Sequence, residues 1–189
     1  MEELHRVSPE EFKKVKKIPL TVILDDIRSM NNIGSIFRTC DGLAVEQLYL
    51  CGITACPPNK EINKTALGAT ESVEWHYFED VVEAVKQLQS TGYKVFMVEQ
   101  TDQSIMLQDF QVPQGQKTAI ILGNEVFGVS DKLLSIVDGA IEIPQFGTKH
   151  SFNVTIAAGM VMWEIFKQVS VIRGQGSGVR GQGSVISDQ

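Results

Sequence analysis

Residues 20–42 read LTVILDDIRSMNNIGSIFRTCDG, and this stretch gives the clearest indication of the fold class. Its first part, residues 20–25, is mostly apolar and rich in β-branched residues, which predicts a strand covered on both faces. Its second part, residues 31–41, places apolar side chains at helical spacing before Gly42, which predicts a helix that ends there. A buried strand followed by an amphipathic helix is the repeating unit of an α/β domain.

The same alternation continues along the 189-residue chain. Further strands are predicted at residues 47–51, 73–77, 94–98, 118–122 and 140–143, and further helices at residues 79–90, 130–137 and 153–168. We therefore expect one α/β domain over residues 18–170, with a mostly parallel sheet and helices on both faces. Residues 1–17 are predicted to form a basic N-terminal extension. Residues 171–189 contain the near-repeat RGQGSGV and RGQGSVI, a Gly/Ser-rich composition that predicts a disordered tail.

The formal net charge of −6 argues against a protein that coats nucleic acid non-specifically, since such binding neutralises phosphates with Lys and Arg. The acidic excess lies wholly in residues 65–189, whereas residues 1–64 carry as many basic as acidic side chains. Any surface for nucleic acid should therefore draw on the first third of the chain. Its densest basic cluster, Lys13 to Lys17, is either such a surface or a solvated helix face.

Other features of the sequence exclude several classes of protein. No run of about 18 apolar residues occurs, and the N-terminus is charged, so we expect a cytoplasmic protein without a membrane span or a secretory signal. Cys40, Cys51 and Cys56 form no C-x-x-C pair, which indicates buried thiols rather than a disulfide framework or a zinc site. The scattered histidines add no metal-ligand set.

Three segments place glycine or polar residues where strands end, the edge at which parallel α/β sheets bind ligands. In the first, residues 31–42, Asn31 or Asn32 can cap the helix, Gly34 allows a close approach, and Arg38 lies off the apolar face. Taken by itself, this segment could also be an ordinary capped helix with one exposed arginine.

The second segment, residues 120–130, reads IILGNEVFGVS and runs from a buried strand into a loop between two glycines. It lacks the Lys-Ser/Thr of a phosphate loop, and the chain has no G-x-G-x-x-G, so neither nucleotide fingerprint is present. Glu125 sits in this tight loop, where its carboxylate must be held by backbone donors or by a cation.

The third segment, residues 141–153, reads IEIPQFGTKHSFN and leads into the last helix. Ser151 is placed to cap that helix, and Asn153 falls in its first turn beside free backbone N–H groups. An ordinary helix start is the alternative. The helix that follows, residues 153–168, is apolar nearly all round, so it must be covered either by its own domain or by a second subunit. We favour a homodimer.

Together and in this order, the three segments resemble motifs one, two and three of the SpoU/TrmH branch of the SPOUT RNA 2′-O-ribose methyltransferases. The resemblance spans about residues 18–168. Phe152 stands where the family usually carries Leu, which affects only the shape of a pocket. The resemblance implies a parallel sheet with a C-terminal trefoil knot, which composition and periodicity could not have indicated because knots are rare.

The resemblance also implies a cofactor, a substrate and site residues. S-adenosylmethionine would be held by Glu99, Gln100, Gly123, Ile143 and Phe152. The catalytic residues would be Arg38, Asn32, Glu125, Ser151 and Asn153, with no metal. A guanidinium stays protonated, so we expect Arg38 to grip a phosphate and the nucleophilic oxygen rather than to act as a base.

The expected reaction is methylation of a ribose 2′-hydroxyl of RNA. We favour tRNA over rRNA because the chain lacks the larger RNA-binding extensions of many relatives. In the family's homodimer the site lies near the interface, where Arg38 could serve the partner's cofactor. Two alternatives stay open: a knotted RNA-binding protein without catalysis, and an RNA methyltransferase acting on a base nitrogen, a group that lacks this Asn-to-Arg first motif.

Overall fold

The computed structural model describes residues 8–148 and 151–174 and contains one seven-stranded sheet. Every strand pairing recorded for these residues is parallel, and the strand order is β3-β2-β1-β6-β4-β7-β5. The strands are β1 Ile18–Asp25, β2 Val45–Cys51, β3 Trp75–Phe78, β4 Tyr93–Val98, β5 Ile105–Met106, β6 Lys117–Leu122 and β7 Gly139–Glu142. All six predicted strands are present, and the parallel α/β architecture is confirmed.

Six α-helices accompany the sheet in the described residues: α1 Pro9–Lys14, α2 Met30–Gly42, α3 Lys60–Ala66, α4 Ala69–Ser72, α5 Val81–Ser90 and α6 Val154–Gly174. The helices predicted at residues 31–41, 79–90 and 153–168 correspond to α2, α5 and α6. The helix predicted at 130–137 is wrong in extent. Only a 3₁₀ turn, Asp131–Leu133, forms there, and the Leu133 N–H donates to the Ser130 carbonyl three residues back, the spacing of a 3₁₀ turn.

Helices cover both faces of the sheet, as predicted. On one face α2, α3 and α6 bury side chains such as Phe37, Ile62 and Val161 against β1 and β6. On the other face α5 packs Val85 and Leu88 against the sheet. The core also takes up Cys40 and Cys51, and burial raises the pKa of both thiols. Inert buried thiols are therefore confirmed at these two positions; Cys56 is half-buried.

Helix α2 begins one residue earlier than predicted, and its cap differs as well. Ser29 is the N-cap, and its hydroxyl accepts a hydrogen bond from the backbone N–H of Asn32 at 3.3 Å. The prediction that Asn31 or Asn32 caps the helix is wrong, because both residues lie inside the first turn. A cap must precede that turn to reach its free N–H groups.

Gly34 lets α2 and α3 approach closely. A Cβ added at Gly34 would press against the Ile62 carbonyl oxygen and the Thr65 hydroxyl. We expect Gly34→Ala to lower the free energy of unfolding by about 1–3 kcal/mol, since overpacking a closely packed contact has this cost. Gly42→Ala in the same helix is the matched control, because an added Cβ there has no atom within 4 Å. Urea unfolding would measure both, and equal stabilities would show that α3 yields without cost.

The two ends of the described chain bear on the predicted domain limits. Helix α1 is capped by Ser8 and carries Lys13 and Lys14 in its last turn, and Lys17 lies over the ring of Phe12 at 2.9 Å. Helix α6 continues to Gly174, past position 171, where the tail was predicted to start. Residues 1–7 and 175–189, and with them most of the predicted tail, lie outside the described residues. In the part of the chain that is described, no helix has the length and apolar character needed to cross a bilayer.

Candidate functional site

A cavity of about 580 Å³ opens at the carboxyl ends of β4, β6 and β7. This is the edge of the sheet at which the sequence predicted a site. The residues of the predicted cofactor pocket all line it: Glu99, Gln100, Gly123, Ile143 and Phe152. Three of the predicted catalytic residues line it too: Glu125, Ser151 and Asn153. The structure therefore gathers most of the predicted site around one cavity.

The loop after β6 forms one wall of this cavity and depends on two glycines. A Cβ added at Gly123 would press into the backbone of Gly128 and Val129. Gly128 has a φ of 73°, a left-handed conformation that L side chains rarely adopt, and lies against the Glu99 carboxylate. The backbones of Asn124 and Gly128 form two hydrogen bonds with each other, both of 2.9 Å. The wall is thus a tight turn with little room for larger residues.

Glu125 connects this turn to the start of α2. Its carboxylate accepts hydrogen bonds from the backbone N–H groups of Arg28 at 3.1 Å and Ser29 at 3.2 Å. It also accepts one from the side-chain amide of Asn32 at 3.0 Å. Of the two alternatives that the sequence offered, backbone donors or a cation, the structure confirms the backbone donors. Asn32 does not line the cavity but lies next to it through this bond.

These hydrogen bonds make the Glu125 contact dependent on pH. Burial acts to raise the pKa of Glu125, but the bonds from Arg28, Ser29 and Asn32 outweigh it, so the pKa lies below its ordinary value. A group with a depressed folded pKa stabilises the fold above its unfolded pKa, about 4.3 for Glu, and this stability is lost as the pH falls through the folded value.

We therefore expect Glu125→Gln to be less stable than the wild type at pH 7, with the difference shrinking below about pH 4 as the wild-type carboxylate becomes protonated. Thermal unfolding of both proteins across this pH range would measure it. Glu71→Gln, on the short helix α4, is the control for loss of one exposed carboxylate. A difference that stays constant with pH would contradict the carboxylate-based contact.

Asn124 is a site residue that the sequence did not reveal. Its buried side chain donates to the Asp26 carbonyl at 2.7 Å and accepts from the N–H groups of Val126 and Phe127 at 2.9 and 3.1 Å. It thereby fixes the turn to the end of β1. The only local signal was an Asn two residues before a bulky apolar pair in a turn, and Asn occurs in turns of every kind.

The start of α6 corrects one prediction. The side-chain oxygen of Asn153 accepts from the Thr155 N–H at 2.9 Å, and the Asn153 carbonyl accepts from Ile156 and Ala157. Asn153, and not Ser151, is therefore the residue that caps α6, because it directly precedes the first helical residue. Ser151 is exposed at the cavity two residues earlier.

Arg38 lies apart from the cavity within a single chain. It is exposed on α2, six residues beyond Asn32, which corresponds to about 9 Å along a helix axis. It is not among the residues that line the cavity. Of the ten predicted site residues, Arg38 is thus the one that the single chain leaves unconnected to the others.

The chemistry of the cavity suits a ligand with both apolar and polar parts. Leu122, Ile141, Ile143 and Phe152 supply apolar wall, and Glu99 and Glu142 supply carboxylates. The hydroxyl of Ser104 donates to Glu142 and ties the loop after β4 to β7. Among the residues the structure describes, no group of three or more His, Cys, Asp or Glu is arranged to hold a metal ion.

Comparison with known proteins places these features in context. Residues 19–163 of the sequence match the SpoU rRNA Methylase family. It is 31% identical over 167 residues to a tRNA (guanosine(18)-2′-O)-methyltransferase of Thermus thermophilus, covering 88% of this chain and 84% of that protein. The enzyme of the same name from Aquifex aeolicus is 31% identical over 162 residues, covering 84% of this chain and 74% of that protein.

Two solved structures share the fold. The A. aeolicus TrmH/SpoU tRNA modifying enzyme superposes with a TM-score of 0.78 at 23% identity, covering 92% of this chain and 88% of that one. An AdoMet-bound rRNA methyltransferase from Sinorhizobium meliloti gives a TM-score of 0.74 at 22% identity, covering 86% of this chain but only 61% of that one. At these identities the likeness concerns the fold.

Proposed function

Because this chain belongs to the SpoU rRNA methylase family, we propose that it transfers a methyl group from S-adenosylmethionine to a ribose 2′-hydroxyl of RNA. The observation that carries the proposal is the cavity itself. Residues from the second and third motifs converge there, and Glu125 joins them to the first motif. The relatives from T. thermophilus and A. aeolicus bear the names of enzymes with this activity on tRNA.

The residues of the cavity fit S-adenosylmethionine. Its apolar walls, Ile143 and Phe152 among them, suit an adenine ring, and Gly123 lets the turn that forms one wall close tightly. The carboxylate of Glu99 suits a ligand with a positive charge. When bound, S-adenosylmethionine supplies a methyl group activated by its sulfonium sulfur. We infer that the C-terminal third of the domain forms the trefoil knot that the family implies.

The protein's own residues must align the ribose hydroxyl with that methyl group and exclude water. We assign Arg38 to an RNA phosphate and to the ribose oxygen, whose growing negative charge a guanidinium stabilises. The ribose oxygen would take the methyl group as its bond to the sulfonium sulfur breaks, with the electron pair staying on sulfur, and would lose its proton to a phosphate or to solvent. Asn32 and Glu125 hold the start of α2 in place, and Ser151 and Asn153 lie at the cavity for contacts to the RNA.

We propose a homodimer, in which Arg38 of one subunit serves the cavity of the other. Helix α6 supports this. Its inner face consists of four buried side chains, Ala158, Val161, Met162 and Ile165, whereas Ile156, Met160 and Trp163 of the same helix are exposed. These three residues are spaced four and three apart, so they share one face of the helix. A large apolar face of this kind marks an interface.

The dimer can be tested by charging this face. We expect Trp163→Glu to sediment as a monomer where the wild type sediments as a dimer, because a charge in an apolar interface is costly to bury. Leu134→Glu is the matched control, since Leu134 is exposed to a similar extent, 55% against 53%, but lies outside α6. A wild type that is monomeric at micromolar concentration, or a dimeric Trp163→Glu protein, would contradict the proposal.

The activity itself is tested by incubating the protein with labelled S-adenosylmethionine and with tRNA or rRNA from cells that lack it. Nuclease digestion and mass spectrometry would identify the product. We expect a 2′-O-methylated nucleoside, in tRNA rather than rRNA. We also expect the enzyme to be cytoplasmic. A methylated base would refute ribose methylation. RNA binding without methyl transfer, with no heat on titration of S-adenosylmethionine, would indicate a non-catalytic relative.

A further inference from the structure

A second cavity of about 430 Å³ lies beside the first. The two cavities share Asn124, Phe127 and Gly128, so the turn after β6 separates them as a common wall. The other side of the second cavity is formed by the ends of β1 and β2, where Arg28 and Ile53 lie. None of the residues assigned above to S-adenosylmethionine lines it. It is therefore a separate space that adjoins the candidate cofactor site.

The second cavity is lined by two large apolar side chains that are open to solvent. Phe127 is 83% exposed and Ile53 is 67% exposed. Single exposed apolar residues are common and need no explanation, but these two share one concave surface next to the candidate site. Arg28, also exposed, adds the only cationic side chain among the residues that line it.

The backbone around the second cavity is held in place. Asn124 accepts hydrogen bonds from the N–H groups of Val126 and Phe127, so the backbone that carries the Phe127 ring is fixed. On the opposite side the Asp26 carboxylate accepts from the Ile53 N–H at 2.9 Å. A backbone that is already held in place has less freedom to lose when these side chains bind a ligand.

We propose that the second cavity holds a nucleobase of the RNA substrate, stacked on Phe127, next to the ribose that is methylated. The proposal rests on the proposed function. Proteins that read single-stranded RNA splay bases out and stack them on aromatic rings or on the plane of an arginine. Phe127 and Arg28 offer both kinds of group, and Arg28 can also bind a phosphate of the same strand.

The position of Phe127 explains why the base belongs next to the reacting ribose. Phe127 lines both cavities and lies two residues after Glu125, which also lines the first cavity. A ribose at the mouth of the first cavity would leave its own base, or that of the adjoining nucleotide, at the shared wall. The second cavity thus selects the RNA conformation that brings the 2′-hydroxyl to the methyl group.

The test compares Phe127→Ala with Phe127→Tyr, which keeps an aromatic ring, and with Leu134→Ala, which shortens another exposed apolar side chain outside both cavities. We expect Phe127→Ala to raise KM for the RNA about tenfold, as loss of one stacking contact does, and to weaken RNA binding by a similar factor in a filter assay. KM for S-adenosylmethionine should not change, and the other two variants should match the wild type.

Each other outcome overturns the proposal. Unchanged KM and affinity for RNA in Phe127→Ala would show that no base stacks there. Conversion of Phe127→Ala to a monomer in sedimentation would show that the ring belongs to a subunit interface instead. A wild type that methylates no RNA refutes the proposed function separately, and the filter assay still decides whether Phe127 contributes to RNA binding.

Discussion

Arg38→Ala is expected to reduce the rate of methyl transfer by about 100-fold or more, as removal of one preorganised donor to a developing oxyanion does. The affinity for S-adenosylmethionine should stay unchanged, because Arg38 is assigned to an RNA phosphate and the ribose oxygen and not to the cofactor. Single-turnover methylation of RNA and calorimetry with the cofactor would measure the two quantities. Lys86→Ala, which removes an exposed cation from α5 on the other face of the sheet, is the control.

Arg38→Lys separates charge from geometry. Lysine keeps the positive charge but cannot form the paired hydrogen bonds of a guanidinium. We therefore expect Arg38→Lys to lose most of the activity as well. If this variant kept most of its turnover, bidentate binding would be irrelevant, and the role assigned to Arg38 would be wrong.

Gly123→Ala is expected to abolish binding of S-adenosylmethionine. The added methyl group would collide with the backbone of Gly128 and Val129, which cannot move aside as a flexible side chain could. The wall of the cavity must therefore shift away from the shape that fits the cofactor. Calorimetry should show no heat on titration with the cofactor.

A control in the same region distinguishes this collision from a general effect of substitution. Gly147→Ala places its methyl group where no atom lies within 4 Å, so its cofactor affinity should match the wild type. Circular dichroism at the temperature of the titration would establish that Gly123→Ala is folded. A folded Gly123→Ala protein with normal affinity would show that this glycine is not needed for the cavity.

The two variants can be combined to test sharing of the site between subunits. A mixed dimer of one Arg38→Ala and one Gly123→Ala subunit retains one intact Arg38 and one intact cofactor cavity, on different chains. If Arg38 serves the partner's cavity, these two belong to the same site, and the purified mixed dimer should recover up to half of the wild-type activity, because one of its two sites is intact. If each chain is self-sufficient, the mixture should be as inactive as the two parents.

Much of the fold could be read from local patterns. The strands β1 and β6 are buried on both faces, so their apolar, β-branched runs are conspicuous in the sequence. Helices α2, α5 and α6 are long enough to show their spacing of apolar residues. The elements that were missed are short, such as β5 with two residues and α4 with four, and such lengths leave no period to detect.

The candidate site also has a part that the sequence indicated and a part that only the structure shows. Ordered motifs pointed to residues such as Gly123, which follows a predicted strand, and Asn153, which lies at the start of the last predicted helix. Local sequence could not indicate that Asn124 fixes the turn to Asp26, or that Glu125 binds the N–H of Arg28, 97 residues away along the chain. Such bonds depend on which strands become neighbours in the sheet.

Hydrophobic period and strand ends are local properties, so the sequence alone indicated a parallel α/β domain. The resemblance of its three motifs to the family indicated most of the residues that lie at the carboxyl edge of the sheet. Tertiary packing alone settled which of those residues meet. It placed β1 beside β6, so that Glu125 reaches the start of α2, and it left Arg38 exposed and away from the cavity of its own chain. The physical reason is that distances between residues far apart in sequence are set by the burial of a shared core.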